Sequence, residues 1–185
     1  MYIMFEEGNN DCWLVDIGDF KALVKLLPQD YNVKGVFLTH GHFDHIAGIN
    51  DLLRRYPKCS IYTSEYGKEM LYSAKKNLSF YFSNPLILKE CDLHILYENS
   101  IVKIFSNVFV EVLETPGHCP SCLTYFTDEF IFTGDSYIPE VNVVTKLPKG
   151  NKEQAQKSIM KITKFLNGRK TLSGHDIEAW NSIKW

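Results

Sequence analysis

The 185-residue sequence predicts an α/β fold in which sheets pack together with helices flanking them. Three observations point there. Strand and helix patterns alternate along the first half of the chain. Strand patterns then crowd residues 92–135. An amphipathic helix at 151–166 and the short strand KTLS at 170–173 follow.

An opening strand lies at Met1–Phe5, and CWLVDI (12–17) reads as a buried strand ending at Gly18-Asp19. Residues 20–27 suit a short helix. GVFLT (35–39) is apolar and rich in strand formers. NDLLRRYP after Gly48 reads as a helix stopped by Pro57. SIYT (60–63) is a further strand, and Ser64 offers an N-cap to a helix over 65–76. HILY, IVKIF, VFVEVLE, LTYFT and FIFTG form the strand-rich part. Within 151–166, Ala155, Ile159, Ile162 and Leu166 recur at spacings of three and four, the period of a helix with one apolar face. No repeat or linker divides the chain, so one domain over 1–185 is expected.

Composition narrows the function. A hydrophobic content of 45% is enough for a substantial core. A net charge of −2 without a long basic run does not indicate a nucleic-acid groove or an anionic-membrane surface. No apolar run is long enough to span a bilayer. MYIMFEEGNND reaches acidic residues too early for a signal peptide. The five cysteines, at 12, 59, 91, 119 and 122, suit a reducing cytoplasm better than a disulfide framework. The expectation is a cytoplasmic protein with a small-molecule substrate, and neither a nucleic-acid nor a membrane partner.

The chemistry concentrates in THGHFDHIAG (39–48). His40, His42, Asp44 and His45 fall within six residues, directly after a strand. A strand-to-helix loop can turn all four side chains toward one point. Imidazole nitrogens and carboxylate oxygens bind zinc at about 2.0–2.2 Å, and the same groups suit iron or manganese. A structural role explains one such histidine well and three with an aspartate poorly. His118 follows VFVEVLE in TPGH, and His175 follows KTLS in SGHD. Each repeats a strand, a glycine, then a histidine. Asp135 repeats the arrangement with a carboxylate after FIFTG. His94 fits no such pattern and reads as an ordinary strand or surface histidine.

This set, H-x-H-x-D-H at 40–45 with His118, Asp135 and His175, resembles the metallo-β-lactamase-fold superfamily over nearly the whole chain. The resemblance implies an αββα four-layer sandwich of two mixed sheets with flanking helices. It implies that His40, His42 and His118 hold one metal ion, that Asp44, His45 and His175 hold a second, and that Asp135 bridges them. Two divalent ions, zinc foremost with iron or manganese as alternatives, then share a water and lower its pKa for attack on a carbonyl or phosphoryl group. Asp44 is the expected orienting or proton-shuttling group.

The full carboxylate-containing ligand set is most similar to the glyoxalase II branch, as are FTGDS (132–136), KNLSFYFSNPL (76–86) and KLPKGNKEQAQKSIMKI (146–162). A small single-domain hydrolase of thioesters or esters is therefore expected. The helical C-terminal domain of that branch is not expected in a chain ending ten residues after His175, and the short start implies either a first sheet lacking one strand or a natural start upstream of Met1. Two other readings stay open at the level of sequence. One is a mononuclear iron persulfide dioxygenase. The other is a metal-bound interaction or sensor domain with little turnover. The aromatic Phe80-Tyr81-Phe82 stretch is expected to pack in the core or over the site as a loop.

Cys119 and Cys122 in TPGHCPSC are spaced as a redox pair. Pro120 restricts the segment, and no thioredoxin-type βαβ pattern surrounds it. Size-conserving replacements of small polar residues are the expectation for both. Oxidation of Cys119 beside His118 is a hypothesis to be tested.

Overall fold

The computed structural model describes residues 1–175. The chain forms two compact units, Met1–Leu96 and a second opening at Tyr97. Each contains one five-stranded mixed sheet.

The first unit carries strands β1 (Tyr2–Phe5), β2 (Asp11–Val15), β3 (Asn32–Phe37), β4 (Ser60–Thr63) and β5 (Leu93–Ile95), side by side in chain order. β1 and β2 form a hairpin, while β2 through β5 run parallel. Parallel neighbours require crossovers. The helices α1 (Phe20–Leu26), α2 (Phe43–Ile46), α3 (Ile49–Arg55) and α4 (Glu65–Leu71) supply them. Asp19 caps α1 by accepting from the Lys21 and Ala22 amides, and Ser64 caps α4 by accepting from Gly67. Leu14, Val36 and Ile61 from the strands, with Leu38 just beyond β3, bury against Leu23, Ile46, Ile49 and Leu52 from the helices. Trp13, Phe37, Tyr62 and His94 form a row of rings across β2 to β5, with neighbouring centroids 4.7–5.5 Å apart. His94 is thus part of a strand-face ladder, stacked on Tyr62 and bonded to Asp92 at 2.9 Å.

Helix α4 ends at Leu71, five residues short of the sequence expectation. The Leu71 carbonyl accepts from Leu88 N–H, and the Ser73 hydroxyl accepts from Lys76 N–H. Both divert the backbone from helical pairing. A one-turn 3₁₀ helix, Ser79–Tyr81, follows instead. Asn77 and Ser79 are fully buried there, bonded to the backbone of Leu86, while Phe80, Tyr81 and Phe82 are exposed. The rings therefore do not enter the core. Phe82 does stack on Phe43, with centroids 4.7 Å apart.

The second unit orders its strands β10 (Lys170–Ser173), β9 (Phe130–Gly134), β8 (Leu123–Phe126), β7 (Phe109–Glu114) and β6 (Ile101–Lys103). β6 to β9 meander antiparallel, and β10 joins β9 in parallel after helix α5 (Lys152–Thr163). Asn151 caps α5 through the Gln154 amide. Ile162 of α5 packs on Leu113, Phe126 and Ile131. Lys161 donates to both Glu98 carboxylate oxygens and to the Glu114 carbonyl, tying α5 to the end of β7.

Candidate metal centre

In the first unit, β3 gives way at Leu38 to Thr39, His40, Gly41 and His42, and α2 begins at Phe43. The predicted strand-to-helix loop is present, and together with α2 it clusters three of the four ligand candidates. The His40 ring lies 4.0 Å from that of His45 and 4.7 Å from that of His42, centroid to centroid. All three are nearly buried. Asp44 is exposed, its carboxylate 3.7 Å from Nε2 of His45.

The residue that organises this loop, Asp16, was not anticipated from sequence. It stands one position beyond β2 with φ of 60°, a left-handed conformation that Asp tolerates better than most residues. One carboxylate oxygen accepts from Thr39 N–H at 2.7 Å. The other lies 2.7 Å from both the Thr39 hydroxyl and Nδ1 of His45. An ionised carboxylate only accepts, so His45 carries its proton on Nδ1 and its lone pair on Nε2. The clue was a carboxylate inside the apolar run LVDIG. Gly18 completes the seat, because a Cβ there would lie 2.1 Å from the Asp44 carbonyl oxygen. Ile17 N–H also donates to the His45 carbonyl. On the far side, Phe43 N–H donates to the Asn77 carbonyl at 2.9 Å.

In the second unit, the turn from Thr115 to Cys122 delivers His118. Thr115 N–H donates to the Cys122 carbonyl, closing the turn. Gly117, at φ of 139°, presses so closely on α5 that a Cβ would sit 2.2 Å from Ala155 N. The Pro116 carbonyl accepts from the Ser158 hydroxyl, and the Gly117 carbonyl from Asn151 N–H. Nδ1 of His118 lies 2.8 Å from the Val144 carbonyl oxygen. A carbonyl can only accept, so this ring too presents its lone pair at Nε2. No sequence pattern marks a backbone acceptor of this kind.

Asp135 follows β9, and Gly174 N–H bonds to the Gly134 carbonyl, which brings the end of β10 alongside. One Asp135 oxygen lies 3.5 Å from Nε2 of His118 and 3.4 Å from Nε2 of His175. These separations are long for strong hydrogen bonds. They match the roughly 3.4 Å between two ligands held at about 2.1 Å from one tetrahedral ion. His118, Asp135, Ile138, Val141 and Val144 line a small cavity.

The donor set fits a divalent metal ion. It consists of imidazoles and carboxylates, and two rings have Nδ1 committed to a carboxylate or carbonyl, the support that metal-ligating histidines use.

The same turn brings Cys119 and Cys122 together. Their sulfurs are 3.3 Å apart, and the Cys119 sulfur is 3.0 Å from the Ser121 hydroxyl. Both thiols are buried. Burial, with donation to Cys119, holds the Cys122 thiol far above the ordinary range.

Among the described residues, no helix is long and apolar enough to cross a membrane. Comparison with known proteins adds the following. The chain is 30% identical over 138 residues to the hydroxyacylglutathione hydrolase of Buchnera aphidicola subsp. Baizongia pistaciae, covering 74% of this chain and 46% of that one. It is 23% identical over 181 residues to the Salmonella typhi protein of the same name, covering 95% of this chain and 61% of that one. The chain thus spans about half to three-fifths of the curated relatives' length. The crystal structure of the BLEG-1 B3 metallo-beta-lactamase superposes with a TM-score of 0.84 at 23% identity, over 94% of this chain and 85% of that one. Its likeness shows the fold, the α/β class with two mixed sheets and flanking helices expected from the sequence. Residues 3–175 match the family model of the metallo-beta-lactamase superfamily, and the chain belongs to that superfamily.

Proposed function

We propose that the chain is a binuclear metal-dependent hydrolase of small thioesters or esters, acting as one domain. In this reading His40, His42 and His118 hold one ion, Asp44, His45 and His175 hold the other, and Asp135 serves both. Zinc is the first choice, with iron or manganese suited to the same ligands. The observation that carries the reading is the pair of supported rings, His45 on Asp16 at 2.7 Å and His118 on the Val144 carbonyl at 2.8 Å. A histidine kept only for packing does not need a fixed tautomer. The curated relatives named hydroxyacylglutathione hydrolase support a thioester as the scissile group.

Metal ions bound there would lower the pKa of a water and polarise the substrate carbonyl. The chain's own residues prepare that chemistry. Asp16 and the Val144 carbonyl each accept the Nδ1 hydrogen bond of one imidazole and hold that ring in one orientation. Asp135, nearly buried, contributes a carboxyl group held in place between His118 and His175. Asp44 is exposed and beside His45, where its carboxylate can orient a water or pass a proton to solvent.

The test is turnover of thioesters, lactones, phosphodiesters and β-lactams by protein loaded in turn with zinc, iron and manganese, with metal counted by elemental analysis. Thioester or ester cleavage with two ions per chain supports the proposal. No turnover of any substrate with both ions present overturns it. One iron per chain, with oxygen consumed on glutathione persulfide, would replace it with a dioxygenase.

A further inference from the structure

We propose that Cys119 and Cys122 form a reversible disulfide that loosens the turn presenting His118. The sulfurs are 3.3 Å apart. A disulfide length of about 2.0 Å requires an approach of only about 1.3 Å more. The backbone is already arranged for it. Cys122 N–H donates to the Cys119 carbonyl at 3.4 Å, so Cys119-Pro120-Ser121-Cys122 is a tight turn. Proline favours the second position of such a turn. Pro120 removes the flexibility that a thioredoxin-like pair uses. Here the same rigidity holds the two sulfurs together.

The oxidant must be small, because the thiols are only 1% and 2% exposed. Hydrogen peroxide satisfies this. The Cys119 sulfur attacks one peroxide oxygen, the O–O bond breaks, and sulfenic acid and water form. The Cys122 sulfur then attacks the sulfenic sulfur, and the S–O bond breaks. The hydroxide leaves with the Cys122 proton as a second water. Two thiols are oxidised by two electrons, and one peroxide is reduced to two waters. A dithiol reductant reverses the bond by exchange.

The consequence follows from what the turn holds. The Cys119 carbonyl accepts from Gly117 N–H, the Cys122 carbonyl accepts from Thr115 N–H, and His118 lies between. Drawing the two β-carbons together pulls on the peptide that follows His118 and on its bond to Val144. The disulfide itself is independent of the reaction catalysed, whereas its effect on metal retention rests on His118 being a ligand.

The experiment exposes folded, metal-loaded protein to hydrogen peroxide, blocks free thiols, and measures intact mass, peptide linkage and metal loss to a chelator. The comparison proteins are Cys119→Ser, Cys122→Ser and a Cys12→Ser/Cys59→Ser/Cys91→Ser triple variant. The expected result is a loss of two hydrogens mapped to 119 and 122, in wild type and triple variant alike, reversed by dithiothreitol. Metal loss should quicken about ten-fold in both and not in Cys119→Ser or Cys122→Ser. Absence of that linkage while circular dichroism shows a folded chain overturns the proposal. Formation of the linkage with unchanged metal retention overturns the effect on His118. The mass readout needs no turnover, so a failed hydrolase assay leaves it intact.

Discussion

Asp16 places one carboxylate oxygen 2.7 Å from Nδ1 of His45, from a backbone position with φ of 60°. The same side chain accepts from the Thr39 amide and hydroxyl. A group outside the H-x-H-x-D-H motif therefore fixes which nitrogen of His45 carries the proton and which presents its lone pair.

Asp16→Asn tests that control with little change in shape, since Asn also tolerates left-handed backbone. Its amide has one acceptor oxygen where the carboxylate had two. With that oxygen on the Thr39 N–H, the NH₂ faces His45 and favours a proton on Nε2. Metal affinity should fall about 10–100-fold with the fold retained. Chelator competition measures the affinity, and imidazole nitrogen NMR reports the tautomer. Unchanged affinity would remove Asp16 from the metal centre.

Asp135→Asn addresses the carboxylate 3.5 Å and 3.4 Å from two imidazole nitrogens. Removing its charge should reduce bound metal below two ions per chain and lower kcat/KM at least about 100-fold, roughly 2.7 kcal/mol of transition-state stabilisation. Elemental analysis beside steady-state kinetics checks both. Unchanged kcat/KM would remove Asp135 from the reacting centre, whereas equal function of an Asp135→Ala variant in cells would support the interaction-domain reading.

Gly117→Ala probes the seat of the His118 turn. The added Cβ would lie 2.2–2.7 Å from three atoms of Ala155, at a backbone φ of 139°. Overpacking and left-handed strain together should cost about 3 kcal/mol. Urea unfolding would show a lower midpoint at unchanged slope. A shift below about 0.5 kcal/mol would mean that α5 yields easily there.

Much of this was legible in the chain because the signals were local. SIYT, KTLS and FIFTG are strands where their composition placed them, and His40 and His42 lie in the short loop that leads directly into α2, which carries Asp44 and His45. What escaped reading depends on long-range bonds. Asp16 reaches a histidine 29 residues away, and His118 rests on a carbonyl 26 residues away. A backbone carbonyl has no sequence signature at all. Helix α4 stopped early because Leu88, seventeen residues on, claims the Leu71 carbonyl. The Phe80–Phe82 rings stayed outside because Asn77 and Ser79, not the aromatics, anchor that loop.

Two further thiols give a pH dependence unrelated to the metal centre. Burial first, then the nearby Asp11 charge, pushes Cys12 up to about 11. Burial first, then neighbouring thiols, pushes Cys59 up to about 12. The folded state thus favours the neutral thiols, whereas the unfolded chain ionises them near 9. The stability they contribute is fully present below pH 9 and is lost as pH rises toward 11 and 12. Each thiol should steepen the decline by up to about 1.4 kcal/mol per pH unit in that window. Urea unfolding under reductant at pH 8 and pH 10 measures the slope. Cys12→Ala/Cys59→Ala should be less stable at pH 8, having lost packed side chains, yet decline less between the two pH values. Parallel declines in variant and wild type would show that these thiols do not ionise on unfolding.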